Sequence, residues 1–379
     1  GEFIYAKEAI GKRNAFVCGW GMILAYWSLI PLNATALALI SRYLFPGIVQ
    51  QGLLYQIAGW DVYAGEVILA SAFIIIMAIV NIRGIKQAAW LQTAIALTLV
   101  GCILVVTFLV MGSADWANLD PGFPDGRRWW KGVFSIVAMA PWAFIGFDCI
   151  PQSAEEYNFS HKKSTGIMIT AILMAALLYV AICIVTAAGL KPWQELLAER
   201  NNWPTGYVVR NTLGLAGLIT LGTAMFCAVV SGMNAFYIST SRLMYAMAQE
   251  GSLPAWFGVI SPKYGTPKHA ILFTMAASLF APWFGREILI WIVDMTSVGA
   301  AIVFAYTTAS AAIIAKRNGD KGQVWLGIVG CIFSLFFLSL LIIPGMPGYL
   351  SFQSRVVLLA WIGIGLLFYL KIRKTYVRG

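Results

Sequence analysis

The sequence predicts an all-helical integral membrane protein, with about ten transmembrane helices in one domain, 1–379. Only 11% of the 379 residues are charged and 60% are hydrophobic, whereas soluble domains carry about 25% charged residues. The mean hydropathy is +0.78. Long runs such as 14–41, 164–190 and 211–241 contain no Asp, Glu, Lys or Arg. These runs reach the roughly 20 apolar residues with which a helix spans a bilayer.

Each apolar run in turn gives one helix, because the runs are too long for barrel strands, which need only about 10 residues of alternating pattern. The predicted spans lie near 15–44, 62–81, 88–111, 132–155, 165–189, 208–247, 269–284, 288–314, 324–343 and 355–371. The segment 208–247 is longer than a bilayer requires, so we expect it to project into water at one end.

Basic residues give the orientation. Of the 26 Lys and Arg residues, 17 lie in one alternate set of gaps between the spans, and the positive-inside rule places this set in the cytoplasm. The set includes the loop 250–268 and both ends of the chain. Both ends lie on the same side of the cell membrane because an even number of spans returns the chain to the side on which it began. The net charge of +10 therefore indicates a lipid bilayer as partner, and not nucleic acid. Nothing in the sequence indicates an oligomeric state.

Residues for enzyme or cofactor chemistry are scarce. The six cysteines are widely separated and have no C-x-x-C spacing, and His161 and His269 are the two histidines. A metal cluster, or a nucleophile paired with a histidine base, needs more than this. We expect no enzyme activity, no metal and no bound cofactor.

The span 132–155 differs from the others, because Pro141, Gly146, Asp148 and Pro151 lie inside it. Proline removes a backbone donor, and a freed backbone group in lipid must be satisfied by protein, water or ligand. Secondary transporters bind substrate at helices broken in this way, and an intramembrane carboxylate indicates a functional site. The alternative is a simple proline kink, with Asp148 near cytoplasmic water and paired to a lysine.

Five stretches resemble the amino acid–polyamine–organocation permeases, and together they extend along the whole chain. The matches are "GEFIYAKEAIG" (1–11, end of the second family helix), "NIRGIKQAAWLQ" (81–92, start of the fifth), "WAFIGFD" (142–148, the sixth), "AEEYNFSHKKSTGIMITA" (154–171, after the sixth) and "STSRLMYAMAQEGSLPAWFGVISPKYGTP" (239–267, the eighth and its loop). The last match is long and specific. Phe159 stands where the family usually has proline.

This resemblance implies a 12-helix fold with the five-plus-five inverted repeat of the leucine-transporter type. The ten spans would be family helices three to twelve, and 250–268 would join the eighth to the ninth. The first helix and most of the second would then lie before residue 1. Since the first and sixth helices are both unwound at the family's substrate site, this chain alone is not expected to transport.

The resemblance also implies residue roles in the sixth helix. Trp142 matches an aromatic residue that gates or stacks on substrate, although it could simply pack. The backbone carbonyls of Phe144, Ile145 and Gly146 would receive the substrate ammonium. Asp148 matches an acid implicated in proton-linked gating in arginine–agmatine exchangers, and a fixed ion pair is the alternative.

Further candidates lie outside the break. Asn33 is near a family position that contacts substrate, or it forms an interhelical hydrogen bond. Ser231 and Gly232 lie where relatives line the pocket or supply hydroxyls to sodium, or they allow close helix packing. Glu156 could form a gate salt bridge, although a solvated pair is the default. In some proton-coupled relatives a lysine in the fifth helix replaces sodium. The corresponding span of this sequence has no lysine.

The sequence thus predicts a secondary transporter of amino acids that works by alternating access, with neutral amino acids preferred and coupling to H+ or Na+ open. A polyamine or cationic amino acid exchanger is the alternative within transport. A membrane receptor or sensor that binds an amine without moving it is the alternative from another class.

Overall fold

The computed structural model describes residues 1–57, 59–84, 89–123, 128–152, 160–198 and 203–377. Its helices are α1 (Glu2–Ile10), α2 (Lys12–Leu44), α3 (Ala64–Ile82), α4 (Ala89–Met111), α5 (Trp129–Phe144), α6 (Cys149–Gln152), α7 (His161–Ala187), α8 (Trp193–Ala198), α9 (Pro204–Gln249), α10 (Lys268–Ser278), α11 (Glu287–Arg317), α12 (Lys321–Ile342) and α13 (Phe352–Val377). Its strands are β1 (Leu53–Ile57) and β2 (Trp60–Tyr63), which pair antiparallel.

Eight helices of the described residues are long and apolar enough to cross a membrane: α2, α3, α4, α7, α9, α11, α12 and α13. The other two predicted spans are interrupted. The span 132–155 divides into α5 and α6, and of the residues that predict an interruption Gly146 lies in it, whereas Pro141 and Pro151 lie inside the two helices. The span 269–284 is a shorter helix than expected, because α10 ends at Ser278 and a 3-10 turn, Ala281–Phe284, follows with Pro282 inside it.

The long predicted segment 208–247 is longer still in the structure. Helix α9 has 46 residues but is two helices joined at Gly214, and the longer part, 215–249, rises about 52 Å at 1.5 Å per residue, more than a bilayer core. Its backbone leaves helical geometry at Gly214, with φ 64 and ψ −156. Glycine adopts such positive φ values without a steric cost, so α9 bends near its N-terminal end.

Helix α2 is the centre of the packing, and most of its side chains are buried between α9 and α11. It crosses α11 closely, because a Cβ atom on Gly299 would lie only 2.8 Å from the Gly21 carbonyl oxygen. The hydroxyls of Ser28 and Thr296 form a hydrogen bond across the same interface. Small residues and interhelical hydrogen bonds are the usual means by which helices associate in lipid.

A hairpin of β1 and β2, which the sequence analysis did not predict, joins α2 to α3. Arg42 at the end of α2 forms a two-pronged ion pair with Glu66, and its guanidinium lies 4.4 Å from the centre of the Trp60 ring. Arg286 lies 5.6 Å from the same ring. The Tyr55 hydroxyl donates to the Trp283 carbonyl at 2.5 Å. The hairpin is therefore fastened to the connection between α10 and α11.

Candidate binding site at a helix break

The break between α5 and α6 is a four-residue interruption of the helical backbone. Helix α5 ends at Phe144, and Ile145 is extended, with φ −63 and ψ 141. Gly146 follows with φ 125, a conformation that L side chains rarely adopt. Helix α6 begins at Cys149. This geometry is the unwound stretch that the sequence predicts, and a straight or merely kinked helix would not contain it.

The carbonyls of the break differ in what they bind. The Gly146 carbonyl accepts from the Cys149 amide at 3.1 Å, and the Ala143 carbonyl accepts from the Tyr179 hydroxyl at 2.9 Å. Within the described part of the chain, no donor reaches the carbonyls of Phe144 and Ile145. Of the three carbonyls predicted to receive a substrate ammonium, two thus lack a protein donor and one is engaged.

Asp148 holds the break in shape. Its side chain is 3% exposed. One carboxylate oxygen accepts from the Gly146 amide at 2.7 Å, and the other accepts from the Tyr26 hydroxyl at 2.9 Å. The described residues place no cation within ion-pair distance of it, so the lysine pair considered as an alternative is not formed there.

Tyr26 is the residue that sequence reasoning missed. It lies on α2, is fully buried and connects this central helix to the broken one. Its neighbours on α9 complete the surroundings of the break. The Phe236 ring lies 5.9 Å from the Tyr26 ring and within 3.9 Å of where a Cβ on Gly146 would be. The Ser239 hydroxyl donates to the Cys149 sulfur at 3.2 Å.

Asn33 and Gly232 meet at the crossing of α2 and α9. A Cβ atom on Gly232 would lie 3.5 Å from Nδ2 of Asn33, and that nitrogen donates to the Leu29 carbonyl at 2.7 Å. Asn33 is seven residues beyond Tyr26 on α2, about 10 Å along the helix. Ser231 adjoins this pair and is partly buried. The absent side chain of Gly232 therefore leaves room for the Asn33 amide.

The remaining candidates are more peripheral. Trp142 is partly buried in the last turn of α5. The Phe144 ring packs on Tyr179 of α7, with 5.8 Å between ring centres. Glu156 lies outside the described residues, so its predicted gate contact stays a prediction.

Three cavities of the protein lie away from the break. The first, of about 670 Å³, is lined by residues of α2, α3 and α9. The second, of about 680 Å³, is lined by residues between Leu119 and Thr205. The third, of about 320 Å³, is lined mainly by residues of α1, α11 and α12. None of the three is lined by a predicted site residue. Among the described residues, no group of three or more His, Cys, Asp or Glu could hold a metal. The backbone geometry of the break identifies the candidate site.

Comparison with known proteins gives one family and several relatives. The family model described as amino acid permease matches residues 1–367. The methylthioribose transporter of Bacillus subtilis is 26% identical over 332 residues, covering 83% of this chain and 67% of the relative. The branched-chain amino acid permease BcaP of the same organism is 25% identical, covering 97% and 78%. The low-affinity putrescine importer PlaP of Escherichia coli is 25% identical, covering 99% and 79%.

Proposed function

Because the chain belongs to the amino acid permease family, whose members here are transporters and not enzymes, we propose that it carries neutral amino acids by alternating access. Its architecture is that of an all-α, multi-pass membrane transporter of the amino acid–polyamine–organocation type. The break between α5 and α6 forms part of the substrate site, and a proton or sodium gradient drives the cycle.

The open carbonyls of the break are the observation on which this proposal rests. A carbonyl inside a membrane protein that has no protein donor must be satisfied by water or ligand. The carbonyls of Phe144 and Ile145 lie where the helix ends and the backbone becomes extended, so each is an acceptor that an ammonium donor could use. Unwound carbonyls of discontinuous helices bind substrates or ions in this way.

Asp148 favours a neutral substrate over a polyamine or a cationic side chain. Recognition of a second positive charge would need a carboxylate free to receive it. Asp148 is almost fully buried and each of its oxygens already accepts one hydrogen bond, from Gly146 and from Tyr26, so little of the carboxylate is open to a cationic substrate. The relatives do not decide this point, because their names specify a thioribose sugar, branched-chain amino acids and putrescine.

Asp148 also supports a gating role. One of its hydrogen bonds lies within the broken segment, and the other, from Tyr26, ties that segment to α2, so loss of the acceptor for Tyr26 would release the segment from the central helix. Protonation of a carboxyl oxygen is such a change, because a protonated oxygen becomes a donor. Ser231 near the α2–α9 crossing and Glu156 keep their predicted coupling and gating roles as part of this proposal.

The test is uptake by the protein reconstituted in liposomes. Labelled neutral amino acids, cationic amino acids, putrescine and methylthioribose are screened with no gradient, a proton gradient or a sodium gradient. We expect saturable accumulation of a neutral amino acid under one of the gradients. Accumulation of putrescine or arginine alone would refute the neutral preference and favour the exchanger.

Two further outcomes separate the remaining alternatives. Binding of an amine without accumulation under any gradient would refute transport and favour a receptor or sensor. The Asp148→Asn variant tests gating, and Asp294→Asn is its matched control, because Asp294 is a partly buried carboxylate of α11 that accepts from Ser354 of α13 and not from a residue of the break. We expect Asp148→Asn, and not Asp294→Asn, to change the pH dependence of uptake.

A further inference from the structure

We propose that the groove between α2, α3 and α9 is a binding site for the acyl chain of a membrane lipid. The groove has a volume of about 670 Å³, within the roughly 300–1,000 Å³ typical of small-molecule sites. It lies beside the membrane-crossing parts of all three helices. The inference does not depend on the substrate or on the transport mechanism.

The length of the groove matches one leaflet of a bilayer. On α9 its lining extends from Leu215 to Phe226, eleven residue steps or about 16 Å of helix rise. On α2 it extends from Leu37 to Phe45, about 12 Å. The hydrocarbon core is about 30 Å thick, so one leaflet contributes about 15 Å. A groove of this length accommodates a single acyl chain lying along the helices.

One end of the groove lies at the membrane surface. Phe45 caps the C-terminus of α2, and Pro204 begins α9 at the same end. Between them the Tyr43 ring packs edge-on against Trp203, with 5.5 Å between ring centres. Tyr and Trp are enriched at the level of lipid headgroups. A lipid can therefore place its headgroup at this end while its chain enters the groove.

The lining excludes a polar occupant. Its two hydroxyl groups are already bonded to their own helices, Ser41 to the Leu37 carbonyl at 2.8 Å and Thr223 to the Ile219 carbonyl at 2.9 Å. The other lining side chains are hydrocarbon or thioether. Leu215 and Ile219 are 66% and 55% exposed, so the groove opens sideways toward the surrounding medium, which at this depth is lipid.

Two glycines produce the recess. Gly214 bends α9 just above the first lining residue. Gly222 lies where α9 meets Leu44, and a Cβ atom there would come within 2.8 Å of that side chain. The bend opens the groove, and the close contact at Gly222 forms its floor. Substituting a bulky side chain at Thr223, which lines the groove and is itself exposed, would fill the space.

Photolabelling tests the proposal. The protein is reconstituted in vesicles of phosphatidylethanolamine and phosphatidylglycerol that contain a trace of phosphatidylcholine with a diazirine on one acyl chain. After irradiation, mass spectrometry maps the labelled peptides. We expect segments 37–45 and 215–226 to be labelled more than 325–333 of α12, a highly exposed stretch. Equal labelling would mean ordinary lipid contact only and would overturn the proposal.

A filled-groove variant gives a second, independent measure. Thr223→Phe should lower labelling of 215–226 by more than half. Thr170→Phe on α7 is the matched control, because Thr170 is also exposed and bonded to its own helix, through the Gly166 carbonyl. Unchanged labelling in a folded Thr223→Phe variant would refute the site. If that variant does not fold, the wild-type labelling ratio decides alone.

Discussion

The hydrogen bond from Tyr26 to Asp148 gives the sharpest test of how the break is held. Replacing Tyr26 with Phe removes the hydroxyl donor and keeps the ring, so packing changes little. The bond is 2.9 Å long, and Tyr26 is 0% exposed, so water cannot replace the lost donor. A hydrogen bond to a charged group contributes about 1.5–3 kcal/mol to stability. We expect Tyr26→Phe to lower the free energy of unfolding by this amount.

A matched variant in the same protein calibrates this value. Tyr237 is also 0% exposed, and its hydroxyl donates to a neutral acceptor, the Ile74 carbonyl, at 3.1 Å. A neutral hydrogen bond contributes about 0.5–1.5 kcal/mol. Polar contacts inside membrane bundles average nearer 0.6 kcal/mol, so the difference between the two variants is the decisive quantity. We expect Tyr26→Phe to cost at least about 1 kcal/mol more than Tyr237→Phe.

The assay is unfolding by SDS titration of the purified protein in mixed micelles, for both single variants and for the pair with Asp148→Asn. Asparagine keeps an oxygen that Tyr26 can bond but carries no charge. The cost of Tyr26→Phe should therefore fall to the Tyr237→Phe value in the Asp148→Asn background. Equal costs of Tyr26→Phe and Tyr237→Phe in the wild type would refute the reasoning, as would an unchanged cost in the Asp148→Asn background.

Three further predictions concern backbone contacts and ion pairs. Gly299→Ala should lower the unfolding temperature, since its Cβ would lie 2.8 Å from a backbone oxygen of α2 and overpacking costs about 1–3 kcal/mol; Gly363→Ala, with nothing within 4 Å, should not. Gly146→Ala has steric room but a φ of 125, so about 1–3 kcal/mol of strain should reduce uptake more than stability. Arg42→Ala removes one partner of an ion pair whose side chains are only 13% and 7% exposed and should cost about 3–5 kcal/mol. Lys7→Ala, whose pair is 36% and 37% exposed, should cost less than about 1 kcal/mol.

Each of these has a contrary outcome. Equal unfolding temperatures for Gly299→Ala and Gly363→Ala would mean that α2 and α11 separate easily at their crossing. Full uptake by Gly146→Ala would show that the positive φ is not needed for function. Similar losses for Arg42→Ala and Lys7→Ala would show that burial of the first pair adds nothing to its contribution.

Most helices could be predicted because a bilayer allows few solutions. A charge-free run of about 20 residues in lipid must satisfy its own backbone, so the predicted starts and ends lie within a few residues of the observed ones. The break was predictable from Gly146, whose φ of 125 ends the helical backbone, whereas Pro141 lies inside α5, three residues before that helix ends. The early end of α10 was harder to predict, because the apolar run before Pro282 looks continuous.

Contacts between distant residues were not predictable. Asp148 was singled out, but its partner Tyr26 is 122 residues away, and no local pattern distinguishes that tyrosine from 14 others. The hairpin did have a local signal. Its two strands pair on either side of Gly59, which has a φ of 81. Glycine is a common hairpin turn residue. This signal is short and lies between two long apolar runs, so the hairpin was not predicted.

The hairpin also has a consequence for how the chain is assembled in the membrane. Tyr55 and its acceptor Trp283 are 228 residues apart, so at about 5–20 residues per second of synthesis the acceptor emerges about 10–50 s after the tyrosine. Until then, Trp60 has Arg42 on its ring but lacks Arg286 from the later connection. The strands can pair with each other early, but attachment of the hairpin to the connection after α10 requires every helix from α3 to α10 to be made first. Protease resistance of the hairpin would mark the nascent chains in which that order of insertion has been completed.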